Sequence, residues 1–162
     1  MLVKFAVTNY RGFSERIEWD LSRPSNYSFN EYAIKDGVIK NGIVYGSNGS
    51  GKSNLSFALF DIVNHLSQKM KMADYYVNFA YAGHQDSPVT FEYTFKFNNQ
   101  LLEYIYSKRP NGTLITEKVS VDHQQVFERN ESALSIDEEQ FPMESSMKVN
   151  SVSYTHLTLP TT

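Results

Sequence analysis

The chain contains no cysteine. That excludes a disulfide framework and any Cys-ligated zinc site. Its four histidines, His65, His84, His123 and His156, stand far apart. They lack the paired spacing of a metal site and read as surface or packing residues. No apolar run approaches the ~18 residues of a membrane helix, and the first residues carry no signal-peptide pattern. No membrane partner is therefore expected, and the cytoplasm is the expected compartment. Excess positive charge is also missing. Fifteen Lys and Arg against 18 Asp and Glu leave a net charge of −3, so no global basic field advertises nucleic acid. A local basic patch stays open. There is no internal repeat.

What the chain does have is apolar and aromatic mass. It is 41% hydrophobic, with 11 Tyr and 11 Phe in 162 residues, which suits one globular domain rather than a disordered chain. Leu2 to Thr8 alternates, with Val3, Phe5 and Val7 on one face, and Ile17, Trp19 and Leu21 alternate again. Both read as strands, joined through a turn at Asn9-Tyr10-Arg11-Gly12. Residues 22–31 read as loop, and Asp36-Gly37 as a tight hairpin turn. Val89 to Phe97 alternates cleanly, with Phe91, Tyr93, Phe95 and Phe97 sharing a face. Asn98-Asn99 and Pro110-Asn111-Gly112 then turn the chain into 101–107 and 113–121, an antiparallel meander. The aromatic face could stack bases of a single strand, but alternation alone makes it a sheet face packed on a core. Residues 128–146 are acidic and polar and read as a loop or insertion.

The chemistry concentrates at residues 46–53, Gly46-Ser47-Asn48-Gly49-Ser50-Gly51-Lys52-Ser53. This is a complete G-x-x-x-x-G-K-[ST] phosphate-binding loop, or Walker A motif. Its glycines let backbone N–H groups curl towards a phosphate. Lys52 brings a compact positive charge, and Ser53 a hydroxyl suited to Mg²⁺. The motif needs a strand before it and a helix after it. Gly42-Ile43-Val44-Tyr45 supplies a β-prone run. Leu55, Ala58, Leu59, Ile62, Val63, Leu66 and Met70 recur at helical spacing, predicting a helix over about 52–72. The bland alternative is a Gly/Ser linker, which would not carry these flanks.

Hydrolysis needs a second acidic site to hold Mg²⁺ and position water. The one candidate, Ala133-Leu134-Ser135-Ile136-Asp137-Glu138, is short and interrupted, and reads better as a solvated acidic loop. No Leu-Ser-Gly-Gly-like signature occurs.

The order of features resembles a known family. Lys4 to Phe13, with Asn9-Tyr10-Arg11-Gly12-Phe13, resembles the N-[FY]-R-x-F opening of ABC-type ATPase heads. Gly42 to Tyr45 running into Gly46–Ser53 and Asn54-Leu55 resembles the strand, phosphate loop and Ser-Asn continuation of the same heads. The meander is similar to the strand-rich lobe of bacterial AAA-family ATP-binding proteins related to RecF, structural-maintenance-of-chromosomes and OLD-type proteins. The resemblance covers roughly residues 1–130. It implies an α/β fold: a P-loop NTPase of the ABC-ATPase-head type, N-terminal part only, with an antiparallel β meander. It implies ATP and Mg²⁺ as ligands, held by Gly46, Asn48, Gly49, Ser50, Gly51, Lys52, Ser53 and Asn54, with Ser53 on the metal and Arg11 near the nucleotide. It also implies a homodimer through the head, and a DNA, RNA or nuclease partner, as in phage defence.

Residues 151–162 shift abruptly in composition and resemble a translated transposon-end sequencing adapter. Such a scar is set aside from fold reasoning, which leaves 1–150 as a partial ATPase head. The chain is then expected to bind ATP without hydrolysing it alone. Two other readings stay open. One is a small P-loop kinase or GTPase, for which an acidic metal site and a base-recognition motif are not found. The other is a β-rich module whose Gly loop holds an anion.

Overall fold

The computed structural model describes residues 1–25, 31–67 and 73–137. The adapter-like tail at 151–162, the end of the acidic stretch beyond residue 137, and the last residues of the predicted helix at 68–72 lie outside the described residues.

The alternating segments become strands because alternation lets each bury one face and wet the other. They are β1 (Leu2–Thr8), β2 (Ile17–Asp20), β5 (Val89–Phe97), β6 (Gln100–Lys108), β7 (Leu114–Val121), β8 (Gln124–Asn130) and β9 (Leu134–Ile136). Asp36-Gly37 turns a two-stranded hairpin of β3 (Ile34–Lys35) and β4 (Val38–Ile39). Both turn residues hold positive φ, 53° and 76°, as a tight hairpin requires. Between β4 and β5 lies α1 (Lys52–Ser67), the only α-helix among the described residues.

The seven long strands form one sheet in the order β2-β1-β5-β6-β7-β8-β9. Every pairing in it is antiparallel. The register sorts side chains into two faces. Phe5 opposes Tyr93, and Val7 opposes Phe91. Tyr93 opposes Tyr104, and Phe91 opposes Tyr106. Val119 continues the row on β7 and Phe127 on β8. This apolar face carries α1. The other face shows Lys4, Glu18, Glu92, Glu103, Lys118 and Glu128, with Arg16 joined to Glu92 and Glu18 at 2.8 Å each.

The core sits between α1 and this aromatic face. Phe5, Val7, Tyr10, Phe79, Phe91, Tyr93 and Tyr106 are buried there with Ala58 of the helix. Phe91 and Tyr106 stack at 5.1 Å, while Tyr10 meets Phe79 edge-on at 5.3 Å. Such pairs add roughly 0.5–1.5 kcal/mol each beyond area burial.

This architecture corrects the α/β P-loop NTPase expectation of the ABC-head type. The described residues are mostly antiparallel β-sheet with one helix, not a parallel sheet flanked by helices. The strand expected at Gly42–Tyr45 does not form, and those residues have no regular secondary structure. Ile43 and Tyr45 are about 90% exposed. A four-residue apolar run becomes a strand only beside a partner, and no described strand pairs with it. The acidic stretch is corrected too. Its first part carries the end of β8 and all of β9, which pair antiparallel at the edge of the sheet.

Phe91 lies at the centre of this packing and Tyr45 lies outside it. Phe91→Ala is expected to lower the unfolding free energy by about 3–5 kcal/mol. Tyr45→Ser should change it by less than about 0.5 kcal/mol. Urea titration of both variants checks the contrast.

Candidate functional site

Residues 46–51 wrap into the first turn of α1. The Gly51 carbonyl accepts the N–H of Leu55 at 2.9 Å, which starts the helical ladder. Gly49 and Gly51 stand at φ 81° and 90°, conformations that side-chain-bearing residues rarely adopt. Space is short as well, since a Cβ on Gly51 would lie 3.0 Å from the Phe13 ring. The loop thus needs glycine at 51 for both backbone and contact reasons.

Lys52 folds back over the loop. Its Nζ donates to the Gly46 carbonyl at 2.8 Å and the Ser47 carbonyl at 2.6 Å, with Ser50 Oγ at 3.4 Å. No acidic residue occupies the first turn of α1, so the positive end of the helix dipole meets no carboxylate of its own helix. A recess of about 290 Å³ opens here, lined by Asn48, Gly49, Ser50, Gly51, Lys52, Ser53 and Asn54. The structure therefore brings Asn48 to Asn54 together around one cationic, solvent-facing hollow, while Gly46 lies outside its lining.

Arg11 is placed differently. It lines a neighbouring recess of about 260 Å³ with Gly12, Asn54, Asn78, Ala80 and Ala82. Asn54 is common to both recesses. The Arg11 guanidinium donates to the Tyr75 carbonyl and the Tyr10 hydroxyl, each at 3.1 Å, and lies over the Phe57 ring at 5.2 Å. None of these partners belongs to residues 46–53.

Fit to Mg²⁺ and a nucleotide rests on the donor set. Backbone N–H groups, the Lys52 ammonium and the Ser50 and Ser53 hydroxyls suit phosphate oxygens and a small hard cation. Among the described residues no group of three or more His, Asp or Glu could hold a metal. A cation here would keep Ser53, phosphate oxygens and water as its ligands.

Two buried clusters behind the loop escape sequence inspection. In the first, Asp61 of α1 is fully buried. It accepts hydrogen bonds from Tyr75 OH at 2.8 Å, Tyr106 OH at 2.8 Å and Lys108 Nζ at 2.6 Å. Burial pushes the Lys108 ammonium down, against the pull of Asp61. Burial, joined by the Tyr93 and Asp61 charges, holds Tyr106 well above the ordinary phenol range, so it stays a donor. The available signal was parity: Lys108 continues the inward row Tyr104, Tyr106, and Asp61 lies three residues after the inward Ala58.

In the second cluster, Glu117 accepts from Tyr104 OH and from Arg129 Nη2, the latter at 2.5 Å. His65 Nε2 lies 3.4 Å away, and its ring stacks on Tyr106 at 4.1 Å. Burial alone would push Glu117 up. Hydrogen bonds from His65 and Tyr104, with the Arg129 charge, outweigh it and hold the carboxyl below the usual range.

No protein-family model matches the chain, and no curated protein matches it either.

The lowered Glu117 value has a pH consequence. The unfolded chain, with glutamate near ~4.3, binds the proton more readily than the folded one. The stability Glu117 contributes is therefore complete above about pH 4.3 and is lost as pH falls through the lower folded value. Urea midpoints measured between about pH 6 and pH 2 should decline on the acid side. Glu117→Gln should start less stable and show a shallower decline.

Proposed function

We propose that residues 46–53 bind the phosphates of ATP together with Mg²⁺. The observation that carries this reading is the loop itself: Lys52 and Ser53 at the head of a helix with no acidic first turn, around an open recess. Gly49 and Gly51 hold the positive φ values that an inward-facing N–H cradle requires. Lys52 is held by exposed loop carbonyls, whose hydrogen bonds water replaces at little cost, so the ammonium is free to exchange them for phosphate oxygens. Asn54 lines both recesses, so the loop hollow adjoins the Arg11 recess.

The proposed activity is binding. The resemblance of Lys4–Phe13 and Gly42–Leu55 to ABC-type ATPase heads favours ATP over GTP. Turnover would require an acidic metal site in addition to this loop.

Calorimetric titration with ATP and Mg²⁺ tests the proposal. Lys52→Ala removes charge-assisted hydrogen bonds worth roughly 1.5–3 kcal/mol each, so affinity should fall by about 10-fold or more. Unchanged affinity in Lys52→Ala would overturn the proposal. Tripolyphosphate binding as tightly as ATP would reduce it to anion binding, and preference for GTP would point to the kinase or GTPase reading.

A further inference from the structure

We infer that Asp61 and Lys108 are positioning residues that fix where α1 sits along the sheet, and thereby where the loop at 46–53 meets the Arg11–Phe13 turn. The inference rests on the phosphate-loop reading for its functional meaning.

The helix lies on a face of Phe91, Tyr93, Tyr104 and Tyr106. Apolar contact is non-directional, so a smooth aromatic face resists axial slip only weakly. A slip of one turn moves the helix by about 5.4 Å. Polar contacts differ in whether they sense that slip. The Tyr93 hydroxyl donates to the Ala58 carbonyl at 2.9 Å, but carbonyls recur along the whole helix. The His65–Glu117 contact is long, at 3.4 Å. Asp61, in contrast, is the only carboxylate on α1. Lys108 is the only cation on the helix-facing side of β5 and β6, since Lys96 pairs with Leu101 on the opposite face. One acid and one base, both buried and 2.6 Å apart, define one register. Buried ion pairs contribute little net stability and are best attested as devices that set register.

The far end of the helix shows what that register delivers. Asp61 lies eight residues after Ser53, about 12 Å along the helix axis. At the near end, Gly51 sits against the Phe13 ring, and a Cβ on Gly12 would lie 3.1 Å from Asn54 Nδ2. These close fits hold only for one axial position of α1.

The test replaces the pair by apolar residues, Asp61→Leu with Lys108→Met, so that no charge is stranded. Asp61→Asn with Lys108→Met, which keeps an acceptor for the tyrosines, serves if the first variant does not fold. Nitroxide labels on Ser56→Cys of α1 and Glu128→Cys of β8 report helix position, with no native cysteine to interfere. Urea titration establishes that the variant folds cooperatively. The expected result is a folded variant whose label distance broadens or shifts by about one helical turn, and whose affinity for ATP with Mg²⁺ falls at least 10-fold. An unchanged, narrow distance in a folded variant would overturn the inference, as would a shifted distance with unchanged ATP affinity. If the parent chain itself fails to bind ATP, the phosphate-loop reading falls, while the label distance alone still decides whether the pair sets the register.

Discussion

A single helix lying on an aromatic sheet face is the constraint on which the rest of the molecule depends. Among the described residues, the loop at 46–53 is braced by Lys52 Nζ on the Gly46 and Ser47 carbonyls, by the Phe13 ring beside Gly51 and by the first turn of α1. It is held in space because α1 is held, and α1 is held from one side. Ala58, Asp61 and His65 fall three and four residues apart, so they form one stripe on the sheet side. Tyr93, Tyr106 and Lys108, and Glu117 meet them in turn. These four partners are aromatic or flanked by aromatics, and all four are buried. Hydrogen bonds in such surroundings are directional, and leaving one unmade costs more than it would at the surface.

The sheet makes this possible through its strand order. β1 and β5 are neighbours although α1 and the loop lie between them in sequence. The chain therefore leaves the sheet after β2, builds the hairpin, loop and helix, and returns to lay β5 beside β1. That return puts Phe91 and Tyr93 directly opposite Val7 and Phe5. Asn9 helps to hold the closure, with its side-chain amide donating to the carbonyls of His84 and Ser87 at 3.0 Å each. Asn9 stands at φ 57°, a conformation asparagine tolerates better than most residues. The meander β5 to β9 then widens the face that α1 covers.

Much of this was legible in the sequence, and the part that was not has physical causes. Strands announced themselves wherever one face is dry and the other wet, as at Leu2–Thr8 and Val89–Phe97, because alternation is a local consequence of half-burial. The loop was legible because its chemistry lies in eight consecutive residues. Gly42–Tyr45 misled because β-prone composition says nothing about whether a neighbouring strand exists to pair with. The α/β fold was what the resemblance to ABC-type heads implied, yet strand direction is fixed by long-range pairing that short motifs do not encode. Arg11 was expected near the nucleotide; its guanidinium bonds Tyr10 and Tyr75 and lies over Phe57, in a recess that shares Asn54 with the loop. Asp61 and Lys108 were missed because 47 residues separate them. Each reads alone as an ordinary polar residue, and only the register makes them partners.

Two lysines show how burial decides what a charge does. Lys52 and Lys108 each hold an ammonium against oxygen at short range, 2.6 Å in both cases to the nearest acceptor. Around Lys52 the acceptors are exposed carbonyls that carry only partial charge. Water competes for both sides of that contact, so releasing it costs little, and the ammonium remains available to a more highly charged acceptor. Lys108 is 2% exposed and faces a full carboxylate. Separating that pair would strand two charges in a medium that solvates neither, so the contact persists whatever happens at the surface. The cation open to exchange therefore belongs to the recess and the fixed one to the scaffold. Interchanging the two environments would remove both properties: a buried Lys52 could not exchange its carbonyls for another acceptor, and an exposed Lys108 would let water compete for Asp61.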